Sequence, residues 1–186
     1  MAWRAELADI DPRRLIFLDE SGIDTRMTRA YARAAPGARA VGKVPWGPWE
    51  RLTVIGALGL EGVLAGMSIA AATTGAVFLA FIEQVLIPAL RARPDAIVVM
   101  DNLGAHKAGR VRSALDAAKI TYRYLPFYSP DLNPIEPCWS KLKGWLRAKA
   151  ARTMEALEAE LGPALATITT QDAQGWFRLC GYSSPK

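Results

Sequence analysis

The chain has 186 residues, enough to bury a hydrophobic core as a single domain over 1–186, and no Gly/Ser linker, internal repeat or charge block divides it. Its 23 basic and 18 acidic residues give a net charge of +5 and a pI near 9.4, which suits a polyanionic partner without requiring one. Cys138 and Cys180 fit no metal-ligand or redox spacing, and the N-terminus lacks a signal-peptide core. We therefore expect reduced thiols and a cytoplasmic protein without a disulfide.

Apolar patterns predict an alternation of strands and helices. Leu15 to Leu18 is a continuous apolar run, as expected for a central strand buried on both faces. Strands are also predicted at 52–58, 63–69, 96–100 and 121–125, and helices at about 76–91, 108–119 and from Asn133 onward. This order, β-β-β-α-β-α-β-α, is that of the α/β ribonuclease-H-like fold, in which a mixed central sheet carries helices on both faces. The uncharged stretch from Gly62 to Ile82 is rich in Gly, Ser and Thr, which favours a strand, a turn and a helix over a membrane span.

Three acidic residues stand at the ends of such elements. Asp19 follows the first apolar strand, Asp101 follows the fourth, and Glu136 opens the NPIE helix, with 34 residues between the last two. Because the first and fourth strands are neighbours in this fold, we expect Asp19 and Asp101 to emerge side by side. Carboxylates without His or Cys favour Mg²⁺ or Mn²⁺, and two such ions can activate a nucleophile and stabilise a leaving oxygen. The pattern predicts a metal-dependent DNA-cutting enzyme.

Each acid also has a purely structural interpretation. Asp19 and Asp101 could open turns after buried strands, as Asp commonly does. Asn133 could cap a helix, with Pro134 at its first position and Glu136 closing a capping box. Glu20 points to the opposite side of an extended chain from Asp19 and is therefore a weaker candidate.

The string SPDLNPIEPCW, preceded by YLPFY and VVMDNLGAHK, resembles the catalytic domain of the Tc/mariner superfamily of DDE transposases, specifically its bacterial insertion-sequence branch. The resemblance runs from about Leu15 to Tyr182. It implies that Asp19, Asp101 and Glu136 are the catalytic acids and hold two Mg²⁺ or Mn²⁺ ions. It further implies hydrolysis at transposon ends, strand transfer into target DNA, and action as a homodimer on DNA in the cytoplasm, at the nucleoid and not at a membrane.

Two departures from the family pattern accompany this resemblance. Only 18 residues precede Asp19, so we expect the N-terminal helix-turn-helix module to be absent from this chain, which would be either the product of a second reading frame in a split element or a degenerate copy. Leu179 stands where the family ending would have His. Two rival functions remain open, which are another ribonuclease-H-like nuclease and a non-catalytic DNA-binding or assembly remnant.

Positive charge is grouped in two stretches without acids, 25–49 and 138–153. On the NPIE helix, Ile135, Trp139, Leu142 and Leu146 form an apolar stripe that should pack on the sheet. Glu136, Lys143 and Arg147 fall on the adjacent stripe, where phosphates would lie. The predicted DNA contacts are Lys143, Arg147, Arg26, Arg29 and Lys107, although such runs are often only solvated faces. Asn102 and His106 are predicted to support the site, Asn102 by orienting Asp101 or closing the turn, while His106 could equally cap or pack.

Overall fold

A computed structural model describes residues 2–7, 9–29 and 31–182, which contain a five-stranded mixed sheet in the order β3-β2-β1-β4-β5. The strands are β1 Leu15–Asp24, β2 Arg51–Gly59, β3 Gly62–Ile69, β4 Ile97–Met100 and β5 Thr121–Tyr124. The first three strands form an antiparallel meander, whereas β4 runs parallel to both β1 and β5. All five predicted strands and the predicted adjacency of the first and fourth are confirmed.

Helices cover both faces of this sheet. They are α1 Ala2–Glu6, α2 Gly75–Phe81, α3 Ile87–Leu90, α4 Gly109–Ala117, α5 Ile135–Lys149, α6 Met154–Ala166 and α7 Thr170–Leu179. A π-helical turn joins α2 to α3, and Thr74 caps α2 by accepting the N–H of Val77 at 3.3 Å. Thr153 and Thr169 cap α6 and α7, two helices that the sequence reading did not assign. None of the helices in the described ranges is long and apolar enough to cross a membrane.

The alternation of side chains along β1 divides the core into two layers. Leu15 and Phe17 pack with α5, α6 and α7, whereas Ile16 and Leu18 pack with α2, α3 and α4. Since successive side chains of a strand point to opposite faces, Asp19 continues the first layer and Glu20 the second. The predicted opposition of these two acids is confirmed. Cys138 and Cys180 are both buried free thiols.

Asp19 does not open a turn, and that structural interpretation is wrong. β1 continues for five residues beyond Asp19 because β2 pairs with it as far as Asp24, opposite Arg51. Asp19 is therefore held inside a strand, with Gly56 of β2 directly opposite.

Candidate active site

Three carboxylates delivered by three elements line one cavity of about 360 Å³. Asp19 comes from the middle of β1, Asp101 from the residue after β4, and Glu136 from the first turn of α5. The parallel register pairs Phe17 with Val99, so extending it by two residues brings Asp19 level with Asp101. All three acids therefore line the same cavity.

A tryptophan and a glycine fix the position of Asp19. A Cβ added at Gly56 would lie 2.6 Å from the indole Cη2 of Trp139, so the absence of a side chain there makes room for that ring. Trp139 is only 3% exposed and donates its Nε1–H to Asp19 Oδ2 at 3.1 Å. Trp139 is a core residue, as its stripe predicted, and it also restrains the carboxylate, which the sequence did not indicate.

His106 is completely buried between two carboxylates. Its Nε2 lies 2.9 Å from Glu20 Oε1, and its Nδ1 lies 2.6 Å from Asp101 Oδ1 in a contact too bent for a well-formed hydrogen bond. Burial lowers the pKa of His106, but Asp101 and Glu20 outweigh it and raise that pKa to about 9. His106 packs on Phe78, does not cap α4, and is a buried cation that links Asp101 to β1 through Glu20.

Asp101 has both a structural and a site role. Its Oδ1 accepts the N–H of Leu103 at 2.9 Å, so it does close a turn after β4. Burial raises the pKa of Asp101, but the contacts with His106 and the Leu103 N–H outweigh burial and hold this pKa below its usual value. Asn102 does not orient this carboxylate. Its side-chain amide instead donates to the carbonyl of Leu125, which joins the chain leaving β4 to the chain leaving β5.

Glu136 is not a helix cap, so the capping-box interpretation is wrong. The structure begins α5 at Ile135, and Pro134 at its N-terminus makes no side-chain capping bond. The N–H of Asn133, which a capping box would offer to Glu136, donates instead to the carbonyl of Pro130. The side chain of Glu136 is exposed and faces the cavity.

The carboxyl group of Asp19 is destabilised in its charged form. Burial, followed by repulsion from Glu136, raises the pKa of Asp19 from 3.8 to about 7, and Glu20 and Asp101 add to the repulsion. A carboxyl group held this way is stabilised by any cation placed between it and Glu136. The electrostatics of the cavity therefore favour a bound cation.

The ligand atoms that Asp19, Asp101 and Glu136 offer are carboxylate oxygens, which suit Mg²⁺ or Mn²⁺. Within residues 2–7, 9–29 and 31–182, no three His, Cys, Asp or Glu side chains are close enough together to enclose an ion. Magnesium sites commonly rely on one or two carboxylates and complete their ligand set with water and substrate phosphates. The residues present therefore fit a divalent ion whose further ligands come from water or DNA.

The predicted DNA-contacting cations are spread over three surfaces. Lys143 and Arg147 follow Glu136 along α5, and in the described part of the chain the acids of α6 and α7 pair with Lys149 and Lys141 instead of with them. Arg26 stacks 4.4 Å above the ring of Trp49. Arg26 and Arg29 are exposed, and neither lines the cavity. Lys107 lies at the cavity rim, with its ammonium 4.8 Å from the ring centroid of Phe127.

Sequence reasoning missed the aromatic wall of the cavity. Phe127 and Tyr128 both line the cavity, and these residues are 70% and 101% exposed. The string YLPFYSP was used only as part of a family motif. The signal that could have found them is the position of two adjacent aromatic residues in a Pro-rich loop, where no core-facing periodicity accounts for them.

Comparison with solved structures places this fold among transposase catalytic domains. A pre-cleavage Mos1 transpososome has a TM-score of 0.81 at 17% identity, covering 97% of this chain and 57% of that chain. The Mos1 transposase paired-end complex with the left transposon end has a TM-score of 0.79 at 19% identity, covering 95% and 55%. The catalytic domain of Mos1 mariner transposase has a TM-score of 0.72 at 18% identity, covering 97% and 84%.

These likenesses establish the ribonuclease-H-like fold of the chain, which spans a little over half the length of the first two structures. None of the curated proteins has a significantly similar sequence. The family model described as DDE superfamily endonuclease matches residues 14–158, which contain all three carboxylates. Since this match covers well over half of the sequence, the chain belongs to the DDE superfamily endonucleases.

Proposed function

We propose that this chain is the catalytic domain of a transposase that hydrolyses phosphodiester bonds at transposon ends and transfers the freed strand into target DNA. The observation that carries the proposal is the meeting of Asp19, Asp101 and Glu136 in one cavity. Solved complexes of the Mos1 transposase contain a transposon end, and other structures of it contain Mg or Mn. These relatives support the proposal through a shared fold and a shared family.

Two divalent ions, Mg²⁺ or Mn²⁺, would be held by the three carboxylates, and when bound they supply a nucleophile at neutral pH and charge stabilisation for the leaving oxygen. Asp19 would hold the ions together with Asp101 and Glu136, since both of these acids repel its charged form when no cation is present. Trp139 and His106 restrain Asp19 and Asp101. In each chemical step an oxygen of water or of a 3′-hydroxyl forms a bond to phosphorus while a bond from phosphorus to a 3′-oxygen breaks.

The assembly around this domain is also part of the proposal. A separately encoded N-terminal half would recognise the element's ends, and a homodimer would hold two ends together on DNA. The protein would act in the cytoplasm, at the nucleoid. The basic surface formed by Lys143 and Arg147 beside Glu136 supports DNA as the partner.

Cleavage of DNA in the presence of Mn²⁺ tests this function directly. We expect the purified chain to nick a labelled duplex carrying the flanking inverted repeat, leaving a 3′-hydroxyl, and to be inactive with EDTA, because the carboxylates alone offer no nucleophile. End-labelled gel analysis measures the product. Preferential cleavage of an RNA–DNA hybrid over duplex DNA would contradict the proposal and support a ribonuclease of the same fold.

Binding to DNA should depend steeply on salt through Lys143 and Arg147. Each phosphate contact contributes about one to the slope of log affinity against log salt, so Lys143→Gln with Arg147→Gln should reduce that slope by about two. Affinity should fall alike for all sequences, since phosphate contacts carry no sequence information. Fluorescence anisotropy between about 50 and 200 mM salt measures the affinity for each DNA sequence and its dependence on salt.

The matched control is Arg91→Gln with Lys119→Gln, which removes the same charge. Both residues are exposed. Arg91 precedes β4 and Lys119 precedes β5, so they lie near the N-terminal ends of these parallel strands, whereas Asp101 follows the C-terminal end of β4. If this control reduced the slope of log affinity against log salt equally, the effect would come from net charge. Lys143 and Arg147 would then be wrongly assigned as phosphate contacts.

A further inference from the structure

Part of the lining of the cavity that contains the three carboxylates is aromatic and open to solvent. Phe127 and Tyr128 form it together with Leu125 and Pro126, in the loop that follows β5. Tyr128 is 101% exposed, so its ring contributes nothing to the core. Large aromatic side chains are usually buried for their apolar surface, so a fully exposed one beside three carboxylates needs a ligand-based explanation.

The backbone of Tyr128 gives a second, independent observation. Its φ is +53°, in the left-handed region that bulky residues other than glycine rarely adopt. Such conformations persist where the surroundings impose them and are concentrated at ligand sites. Here the strained backbone holds the Tyr128 ring in solvent beside the cavity, where the ring is available for contact with a ligand.

A cation beside Phe127, one of the two exposed rings, narrows the chemistry of that ligand. The ammonium of Lys107 lies 4.8 Å from the ring centroid of Phe127 and 5.6 Å from that of Tyr124. A flat apolar face next to a positive charge matches the base and the phosphate of a single nucleotide. Inside a duplex both faces of every base are covered by its neighbours, so a nucleotide within the DNA must be unstacked to reach this surface.

We propose that Tyr128, together with its neighbour Phe127 and the Lys107 ammonium beside Phe127, forms a subsite that stacks the unpaired base of the nucleotide next to the scissile phosphate. This inference rests on the proposed function, because the carboxylates place that phosphate within the same cavity. The subsite selects DNA whose end is already opened. It tolerates any base, since every base has a stacking face.

Affinity for a 20-base-pair duplex with a three-nucleotide 3′ overhang, measured in Ca²⁺ by fluorescence anisotropy, tests the subsite. Each stacked base is typically worth about 1–3 kcal/mol, so Tyr128→Ala should weaken binding by about 5- to 150-fold. Tyr128→Phe keeps the ring and should bind like the wild type. Thermal unfolding should be the same for all three proteins, because the ring is exposed.

The decisive comparison removes the base instead of the ring. The same duplex is prepared with each overhang nucleotide made abasic in turn, and at one position the wild type should lose as much affinity as Tyr128→Ala does on intact DNA. Tyr128→Ala should lose no further affinity on that abasic duplex. Leu179→Ala, which alters an exposed apolar residue on α7, should have no effect on either DNA.

Three results would overturn the subsite. Tyr128→Ala could weaken intact and abasic DNA equally, which would mean that the ring contacts the sugar-phosphate chain. Tyr128→Ala could instead leave the affinities for intact and abasic DNA unchanged. It could also change the oligomeric state in sedimentation experiments, which would mean that the ring is a contact between copies of the chain. Because the assay measures binding without cleavage, loss of metal-dependent nicking alone would count against the proposed function and not against the subsite.

Discussion

Cleavage by Asp19→Asn, Asp101→Asn and Glu136→Gln proteins is expected to be more than about 100-fold slower than wild-type cleavage. Groups that only orient metal ligands are typically worth 10- to 100-fold in affinity or activity, so loss of a ligand charge should exceed that range. The amides keep the size and shape of the acids. Single-turnover cleavage of the inverted-repeat duplex in Mn²⁺ measures the effect.

Asp131→Asn is the matched control for these variants. Asp131 is an exposed acid in the turn before α5, and it does not line the cavity. We expect it to cleave at the wild-type rate. Because Glu136 caps no helix and repels Asp19, metal-free Glu136→Gln should unfold at or above the wild-type temperature, and a melting temperature lowered by several degrees with unaffected cleavage would contradict its catalytic role.

Asp19→Asn should stabilise the metal-free protein while it abolishes catalysis. In the folded state the pKa of Asp19 is raised from 3.8 to about 7, by burial first and by repulsion from Glu136 second. Below about pH 4 the carboxyl is protonated in both states and costs nothing. As the pH rises from about 4 to 7 it ionises only on unfolding, so the wild type loses stability, and above about 7 the loss is complete. The full difference is at most about 4 kcal/mol.

Urea unfolding in EDTA at pH 5 and pH 8 measures this effect. The advantage of Asp19→Asn over the wild type should be larger at pH 8 than at pH 5. Added Mn²⁺ should shrink this advantage at pH 8, because a ligand at 100 times its dissociation constant stabilises the wild type by about 2.7 kcal/mol and has little to bind in the variant. Asp131→Asn should show neither behaviour. A variant less stable than the wild type in EDTA at pH 8 would mean that the hydrogen bond from Trp139 stabilises the Asp19 carboxylate by more than burial and repulsion destabilise it.

Local patterns in the sequence were sufficient for the elements that carry the acids. The segments at 15–18 and 97–100 are continuous apolar runs, and Ile135, Trp139, Leu142 and Leu146 recur with the period of a helix. All of them are buried as predicted. The motif around SPDLNPIE identified the family and, with it, the three carboxylates. A period describes which face a residue occupies, so it also predicted that Asp19 and Glu20 point apart.

Only the tertiary structure decided what surrounds each carboxylate. Gly56, Trp139 and Asp19 come from three elements, and their contact depends on the pairing of β1 with β2 and on where α5 crosses the sheet. His106 meets Glu20 across 86 residues of sequence, which no local pattern encodes. The strained backbone and exposed ring of Tyr128 likewise follow from where the β5 loop is held. The sequence therefore determined the three carboxylates and the elements that carry them. Packing between distant segments determined the surroundings that shift the pKa values of Asp19 and Asp101, the contacts that restrain these two side chains, and the aromatic residues that line the same cavity.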